Sequence, residues 1–549
     1  MFKTEIKIND VHYKKIAFAK SFKLKEIITR KLIGEHKIVA VTVNHEYVNI
    51  DEVISEKSQI NCITYFSHEG RLIYQDTAIF IMMKAFYRLY PTKRFIIEHS
   101  IADGVYGEFT NGDTLSQQNT DELIQEMAAV VGEKIPIKKM SITPKKAKQI
   151  FESAGRKDIL KEHQYKDFNV FKCGKYYDYF IRQLSFNTGC ITSFSLLLHS
   201  PGIIIRFPME KEMRVDENFV FPKMLFKTHQ EHDKWLRILE AHNSYAINQA
   251  IEDFKISDFI QVEEALHEKK IMEIAKEISD NKSLKLLMIA GPSASGKTTF
   301  AKKLSVHLRV NGTTPRIIEM DNYFLPRNET PKKENGEPDF ESINAINLDL
   351  LNNNLTDLLA GKEVKVPKFD FVTGTTSIND NVMKLGKNDV LLLEGIHGLN
   401  DTLTSAIPFS QKAKIYVSEL NNLNIDWHNR IPTTDVRKIR RMIRDFNFRG
   451  HSVDRTLEMW ESVREGEKQN IFRFQENADF MFNSTLTYEL SVIKKHVLPL
   501  LKQVNKYSPN YLEAKRLIKI FSHFYNIPDE LVPTNSILRE FIGGSVFKY

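Results

Sequence analysis

The stretch "GPSASGKTTF", Gly291–Phe300, constrains this chain more than any other ten residues. It fits the pattern G-x-x-x-x-G-K-[ST] through Gly291, Gly296, Lys297 and Thr298, and its flanks suit that pattern. Ahead of it, "LKLLMIA" is a short apolar run of the kind a buried parallel strand requires. Behind it, "TTFAKKLSVHLRV" has helical spacing and stops at Asn311-Gly312. Glycines in such a strand–loop–helix unit let backbone N–H groups turn inward around phosphate oxygens, at a helix N-terminus whose dipole favours anions. The expected phosphate-binding set is Gly291, Ser293, Ala294, Ser295, Gly296, Lys297, Thr298 and Thr299. Within it, Lys297 would reach the β- and γ-phosphates and the Thr298 hydroxyl would join the shell of a Mg²⁺ ion.

A carboxylate should stand at the end of a neighbouring strand. "DVLLLEGIHGLN" supplies Glu394, placed to hold Mg²⁺ directly or through water; an ordinary strand-end acid is the plainer alternative. A second strand, "RIIEMDNYF", ends in Asp321 at the sheet edge where such folds bind ligands. Asp321 would accept the proton of a substrate hydroxyl attacking the γ-phosphate, the alternative being a turn or capping Asp before Asn322. No NKxD motif for reading guanine occurs, which disfavours a GTP switch. Downstream, "NRIPTTDVRKIRRMIRDFNFRG" places Arg437, Arg440, Arg441, Arg444 and Arg449 at three- to five-residue steps. It reads as a solvated helix face or as a lid closing over a triphosphate, and its chain position favours the lid.

A chain of 549 residues is too long for one core, so three or four units are expected. Net charge is +7, which suits an anionic substrate and disfavours nucleic acid as a partner. The 3 cysteines, Cys62, Cys173 and Cys190, lack disulfide or zinc spacing. The apolar runs fall far short of the ~20 residues that span a bilayer. Together with an N-terminus that has no signal-like core, this leads to the expectation of a cytoplasmic protein without a membrane partner.

Residues 1–66 read as a β-rich unit. A hairpin is expected around Asn9-Asp10, then a helix capped by Ser21, carrying Leu24, Ile27, Ile28 and Leu32 and stopped by Gly34, then further strands. The order ββαββ fits a β-grasp fold and resembles the TGS domain of threonyl-tRNA synthetase. Residues 67–205, with "AFYRLYPTKRFIIEHSIADGVYGEF", resemble the α+β second additional domain that follows it there. Where that family arranges HxxxH and CxxxH around an editing pocket, alignment on Leu89-Tyr90-Pro91 places Asp76, Phe80, Phe180 and Leu184. Phe and Leu offer no donor atoms, so the editing chemistry is expected to be absent. Residues 206–282 read as a helical linker. Its His229 and His232 make an HxxH pair, better read as exposed than as metal ligands.

Residues 283–505 resemble the uridine–cytidine kinase branch of the phosphoribulokinase/uridine kinase family. The resemblance rests on "GPSASGKTT", "MDNYF", "DFESINAINLDLL", "VPKFDFVTG", "LLLEGIHGL", "RRMIRDFNFRG" and "ENADFMFNS". A helical extension, 506–549, completes a multidomain α/β and α+β chain whose kinase unit is a parallel-sheet P-loop domain with a helical lid; its end, "NSILREFIGGSVFKY", fits large bacterial-type members. The resemblance implies an ATP- and Mg²⁺-dependent kinase with a small hydroxyl-bearing substrate, most simply the 5′-hydroxyl of a nucleoside, and is compatible with a homo-oligomer. It implies Asp321, Lys297, Arg444 and Arg449 as the catalytic set, Thr298 and Glu394 at the metal, and Asp321, Tyr323, Phe340, Glu341, Phe369 and Arg441 at the substrate. Glu341 falls where the family has an Asp gripping ribose. Phe369 replaces a Tyr and Gly374 a base-reading His, while His451 and Met459 stand for the lid's Arg and Gln. Loss of such readers opens two alternatives: a non-nucleoside hydroxyl acceptor, or an RNA-associated regulator that senses nucleotide.

Overall fold

A computed structural model describes residues 2–548 apart from 10, 19–20, 111, 157–158, 160–167, 209–212, 333–335, 337 and 371–372. Its largest apolar core surrounds a five-stranded, all-parallel sheet in the back half. The strands lie in the spatial order Thr314–Glu319, Asp389–Glu394, Leu286–Ala290, Lys412–Ser418 and Phe480–Asn483. The central strand is buried on both faces, as its continuous apolar run requires. Leu287 and Ile289 face the core shared with helix Lys297–Val310, and Leu286 and Met288 face the core closed by helix Leu348–Leu359. Because all five strands run the same way, their C-terminal ends, Ala290, Glu319 and Glu394 among them, share one edge, where ligands bind in open parallel sheets.

Among the described residues the front half carries three main sheets besides the two-stranded pair Phe22–Lys23 and Val53–Ile54. In the first, Val11–Phe18, Phe2–Ile8, Gln59–Thr64, Ile38–Val43 and Glu46–Tyr47 lie in that order, with the first and last long strands of the unit parallel neighbours. The hairpin turn includes Asn9 in the left-handed region, while Asp10 lies outside the described residues. The helix expected here differs from its reading. Leu24–Ile27 and Arg30–His36 are separate turns, Thr29 caps the second by accepting from Leu32 N–H, and Lys37 rather than Gly34 ends it. Gly34 sits inside that helix with open space around it, so helical hydrogen bonding overrides the local stop signal.

Helix His68–Leu89 packs against a four-stranded antiparallel sheet, Ser195–His199, Gly202–Arg206, Gly104–Phe109 and Phe95–Ile101. A three-stranded antiparallel sheet, Ile137–Ile142, Phe168–Cys173 and Tyr176–Asp178, lies beside it. Helices Lys223–Ile238, Ser244–Glu252 and Ile256–Asp280 follow. They do not act as a free connector: Ile260, Ile271, Ile274 and Ile278 belong to the same core as the loop helix. His229 and His232 are both buried, correcting the exposed reading; His229 stacks on His99 at 3.8 Å and binds Asn422. No helix of the described residues is long and apolar enough to cross a membrane.

Candidate active site

The loop Gly291–Gly296 leaves the central strand and enters helix Lys297–Val310 at Gly296, whose φ of 82° suits only glycine without strain. At Gly291 a Cβ would lie 1.9 Å from the Val417 carbonyl oxygen, so only glycine lets the loop pass the neighbouring strand. Lys297 folds back to donate to the Pro292 carbonyl at 3.2 Å, and burial lowers its pKa. Thr298 donates to Glu394 at 3.2 and 3.4 Å, so the loop and the neighbouring strand end meet through this pair.

A cavity of about 440 Å³ opens over this edge. Ser293 to Thr298, Asp321, Phe340, Glu341, Glu394, Arg441, Arg444 and Arg449 all line it, so residues spread over more than 150 positions converge at one place. Burial raises the Asp321 pKa, with Lys297 pulling it back, and pushes Glu394 up to about 7 with Asp321 and Glu540 beside it. Two members of the expected substrate set stand elsewhere. Tyr323 is fully buried, its hydroxyl accepting from Asn354 at 3.2 Å. Phe369 is buried behind the cavity, edge-on to Phe324 and Phe340 at 5.6 and 6.3 Å. Both support the wall rather than face the space, because their rings complete the core beneath it. Gly374, His451 and Met459 do not line the cavity either.

The arginine run forms helix Thr433–Arg449, ended by Gly450 in the left-handed region. Arg441 and Arg444 both donate to the Ser293 hydroxyl, at 2.9 and 3.1 Å, so the helix touches the loop. Burial, with Arg449 close by, lowers Arg444 to about 10. The fully buried Asp445 collects Arg441 at 3.1 Å and Arg449 at 3.2 Å, each four residues away, and its neighbour Arg444 at 3.7 Å, so all three share one carboxylate. Arg437 and Arg440 are spent on structure: Arg437 pairs with Glu467, and Arg440 with Glu489 at 2.7 Å. Glu467, on helix Val453–Asn470, also accepts the Ser293 N–H at 2.8 Å. Asp445, Glu467 and Glu540 sit in no motif that marks them, beyond their being acids among basic residues.

A divalent cation fits between Thr298 and Glu394. Both offer hard oxygens, and Asp321 and Glu540 bring further negative charge beside the buried Glu394. Mg²⁺ is typically held by one or two protein oxygens together with substrate phosphates, so the absence of a third acidic or His ligand among the described residues is no obstacle. Bound there, the ion would neutralise charge on the β- and γ-phosphates. Glu394→Gln is expected to raise the Mg²⁺ concentration needed for half-maximal turnover by about tenfold or more, since second-rank changes at metal sites already cost 10–100-fold. A Mg²⁺ titration of turnover at fixed ATP checks this.

The front half meets this region through a buried ionic network. Asp178 receives Arg156 at 2.8 Å, His428 at 2.6 Å and the Tyr176 hydroxyl at 2.7 Å, with His428 coming from the segment after strand Lys412–Ser418. Burial alone would raise the Asp178 pKa, but Arg156 and His428 outweigh it and hold the carboxyl well below its usual range. The positions of the expected vanished editing pocket are closed: Phe80 and Phe180 pack edge to face at 5.8 Å, Leu184 is buried, and Asp76 pairs with Arg182 at 3.1 Å. A space of only about 40 Å³ remains there, bounded on one side by His428, Asn429 and Arg430.

A phosphate loop on the central strand of a parallel sheet, Glu394 at the end of the neighbouring strand, Asp321 just past the strand beyond it and an arginine helix over all three define a P-loop phosphoryl-transfer unit. The sequence profile of the Phosphoribulokinase / Uridine kinase family matches residues 286–491. The chain belongs to that family, and it is a phosphotransferase acting on a hydroxyl acceptor. It is 30% identical over 184 residues to the uridine kinase of Ureaplasma parvum serovar 3, a match covering 34% of this chain and 80% of that protein. It is 31% identical over 175 residues to the uridine kinase of Bacillus licheniformis, covering 32% and 74%. A solved structure described as a possible uridine kinase from Bacillus stearothermophilus overlays with a TM-score of 0.27 and 20% identity, covering 39% of this chain and 98% of the other.

Proposed function

We propose that this chain transfers the γ-phosphate of ATP to the 5′-hydroxyl of a nucleoside. The observation that carries this reading is the shared cavity of Lys297, Asp321, Glu341 and Phe340. Lys297 and the loop N–H groups hold the β- and γ-phosphates, and Arg441, Arg444 and Arg449 neutralise the transferring group. Asp321 takes the proton of the attacking hydroxyl; its burial-raised pKa makes it a better proton acceptor than an exposed Asp would be. Glu341 accepts from ribose hydroxyls, and Phe340 with Phe324 offers flat apolar faces, 5.4 Å apart and edge to face, against which a base can rest.

A second reading is favoured by one specific observation: none of the positions where base readers are expected, Gly374, His451 and Met459, lines the cavity. Such a site discriminates weakly among bases and admits other hydroxyl metabolites. The front half, in this account, is a scaffold of synthetase-like units (1–66 and 67–205) joined to a kinase unit (283–505), with its former pocket closed. An acceptor screen tests the proposal. Nucleosides, sugars, polyols and hydroxy amino acids are compared by ADP release, with ATP and GTP as donors. Highest kcat/KM for a nucleoside supports the first reading, and for another class the second. No acceptor-dependent release, with ATP altering RNA binding, would turn the account toward a nucleotide-sensing regulator.

A further inference from the structure

The C-terminal segment reaches back to the phosphate loop. Ser536, Ile537, Leu538 and Phe541 are fully buried and fix its backbone. Ile537 packs so closely that a Cβ on Gly296 would lie 2.6 Å from it. Phe541 sits 5.2 Å under the Arg440 guanidinium, and its carbonyl accepts from Asn447 on the arginine helix. Between these anchors, the half-buried Glu540 extends into the cavity. One carboxylate oxygen accepts the Thr299 N–H at 3.3 Å and the Thr299 hydroxyl at 2.5 Å.

Thr299 is the third residue of its helix, so its N–H has no intrahelical acceptor. In a loop of this pattern such N–H groups cradle the α- and β-phosphates of the nucleotide. We propose that Glu540 is a built-in competitor of the donor phosphates, occupying an anion position of the loop that ATP must take from it. Among the described residues Glu540 has no cation within ion-pair distance, unlike Glu467, which Arg437 meets directly, though Lys297 and Arg444 stand near enough to attract it. Its carboxylate is held by Thr299 and the helix N-terminus and attracted by Lys297 and Arg444, the same groups that would hold phosphate oxygens. The buried anchors keep the backbone in place while the side chain is free to swing to solvent when a phosphate enters. The segment thus sets donor affinity, and its contact with Asn447 ties that setting to the arginine helix.

This inference rests on reading the loop as the donor site, and the experiment separates the two. Dissociation constants for ATP and for inorganic pyrophosphate are measured by calorimetry on the full chain, on Glu540→Gln and on Glu540→Ala. Removing an anion from a helix N-terminus should tighten both ligands by at least about threefold. A structural lesion would loosen binding instead, so the sign is diagnostic, and either variant decides if the other fails to fold. ATP binding that is unchanged within twofold or weaker in the variants overturns the proposal and leaves the donor reading intact. No ATP binding by any of the three proteins overturns both.

Discussion

Asp321→Asn is expected to lower phosphoryl transfer by about 10²–10⁴-fold, the range general-base groups contribute, while ATP affinity stays within about threefold, less than the ~1 kcal/mol that one neutral hydrogen bond contributes. The substitution keeps size and shape, so the short turn Met320–Tyr323 and the strand before it should be undisturbed. What it removes is the negative charge that accepts the hydroxyl proton. It also removes a charge from beside Lys297 and Glu394, which favours nucleotide binding slightly if anything. Rapid-quench measurement of the chemical step, with ATP binding followed separately, distinguishes the roles. A drop in ATP affinity that accounts for the whole loss would assign Asp321 to the donor rather than to the acceptor.

The second large effect is on stability. Asp178→Ala is expected to cost about 3 kcal/mol, the low end for breaking a buried pair, because the Arg156 guanidinium, whose side chain is only 3% exposed, loses its closer carboxylate and keeps Asp426 at 3.4 Å. The loss also unties His428, so the first unfolding transition in urea should shift to lower denaturant. Asp178→Asn, which keeps part of the hydrogen bonding, should cost less. Since a chain of several cores need not unfold in one step, the first transition is the quantity to compare. A change below about 1 kcal/mol for Asp178→Ala would mean that the network contributes no more than an exposed pair.

The site's chemistry was largely legible where it is local. The loop, its strand and its helix announce themselves by spacing, and Asp321 and Glu394 by standing at the ends of apolar runs. What escaped is what only the fold brings together. Glu540 lies more than 240 positions from Thr299, and nothing in "ILREF" marks an acid that returns to the loop. Asp445 was hidden among the arginines it organises. Tyr323 and Phe369 were expected against substrate but complete the core behind it, since a large ring near a cavity can serve either side. His229 and His232 looked like surface residues on a polar helix; their face is covered by His99 and Asn422 from distant segments. In the front unit, Gly34 lost to helix propagation and Lys37 supplied the stop.

The measurement that bears most directly on the account follows the γ-phosphate itself. The full-length chain is incubated with γ-labelled ATP, Mg²⁺ and uridine, beside a Lys297→Met control, and the products are separated. Label is expected in the nucleoside 5′-monophosphate, with little in the control. Label that appears only as inorganic phosphate, or stays in ATP whichever nucleoside is supplied, would contradict it.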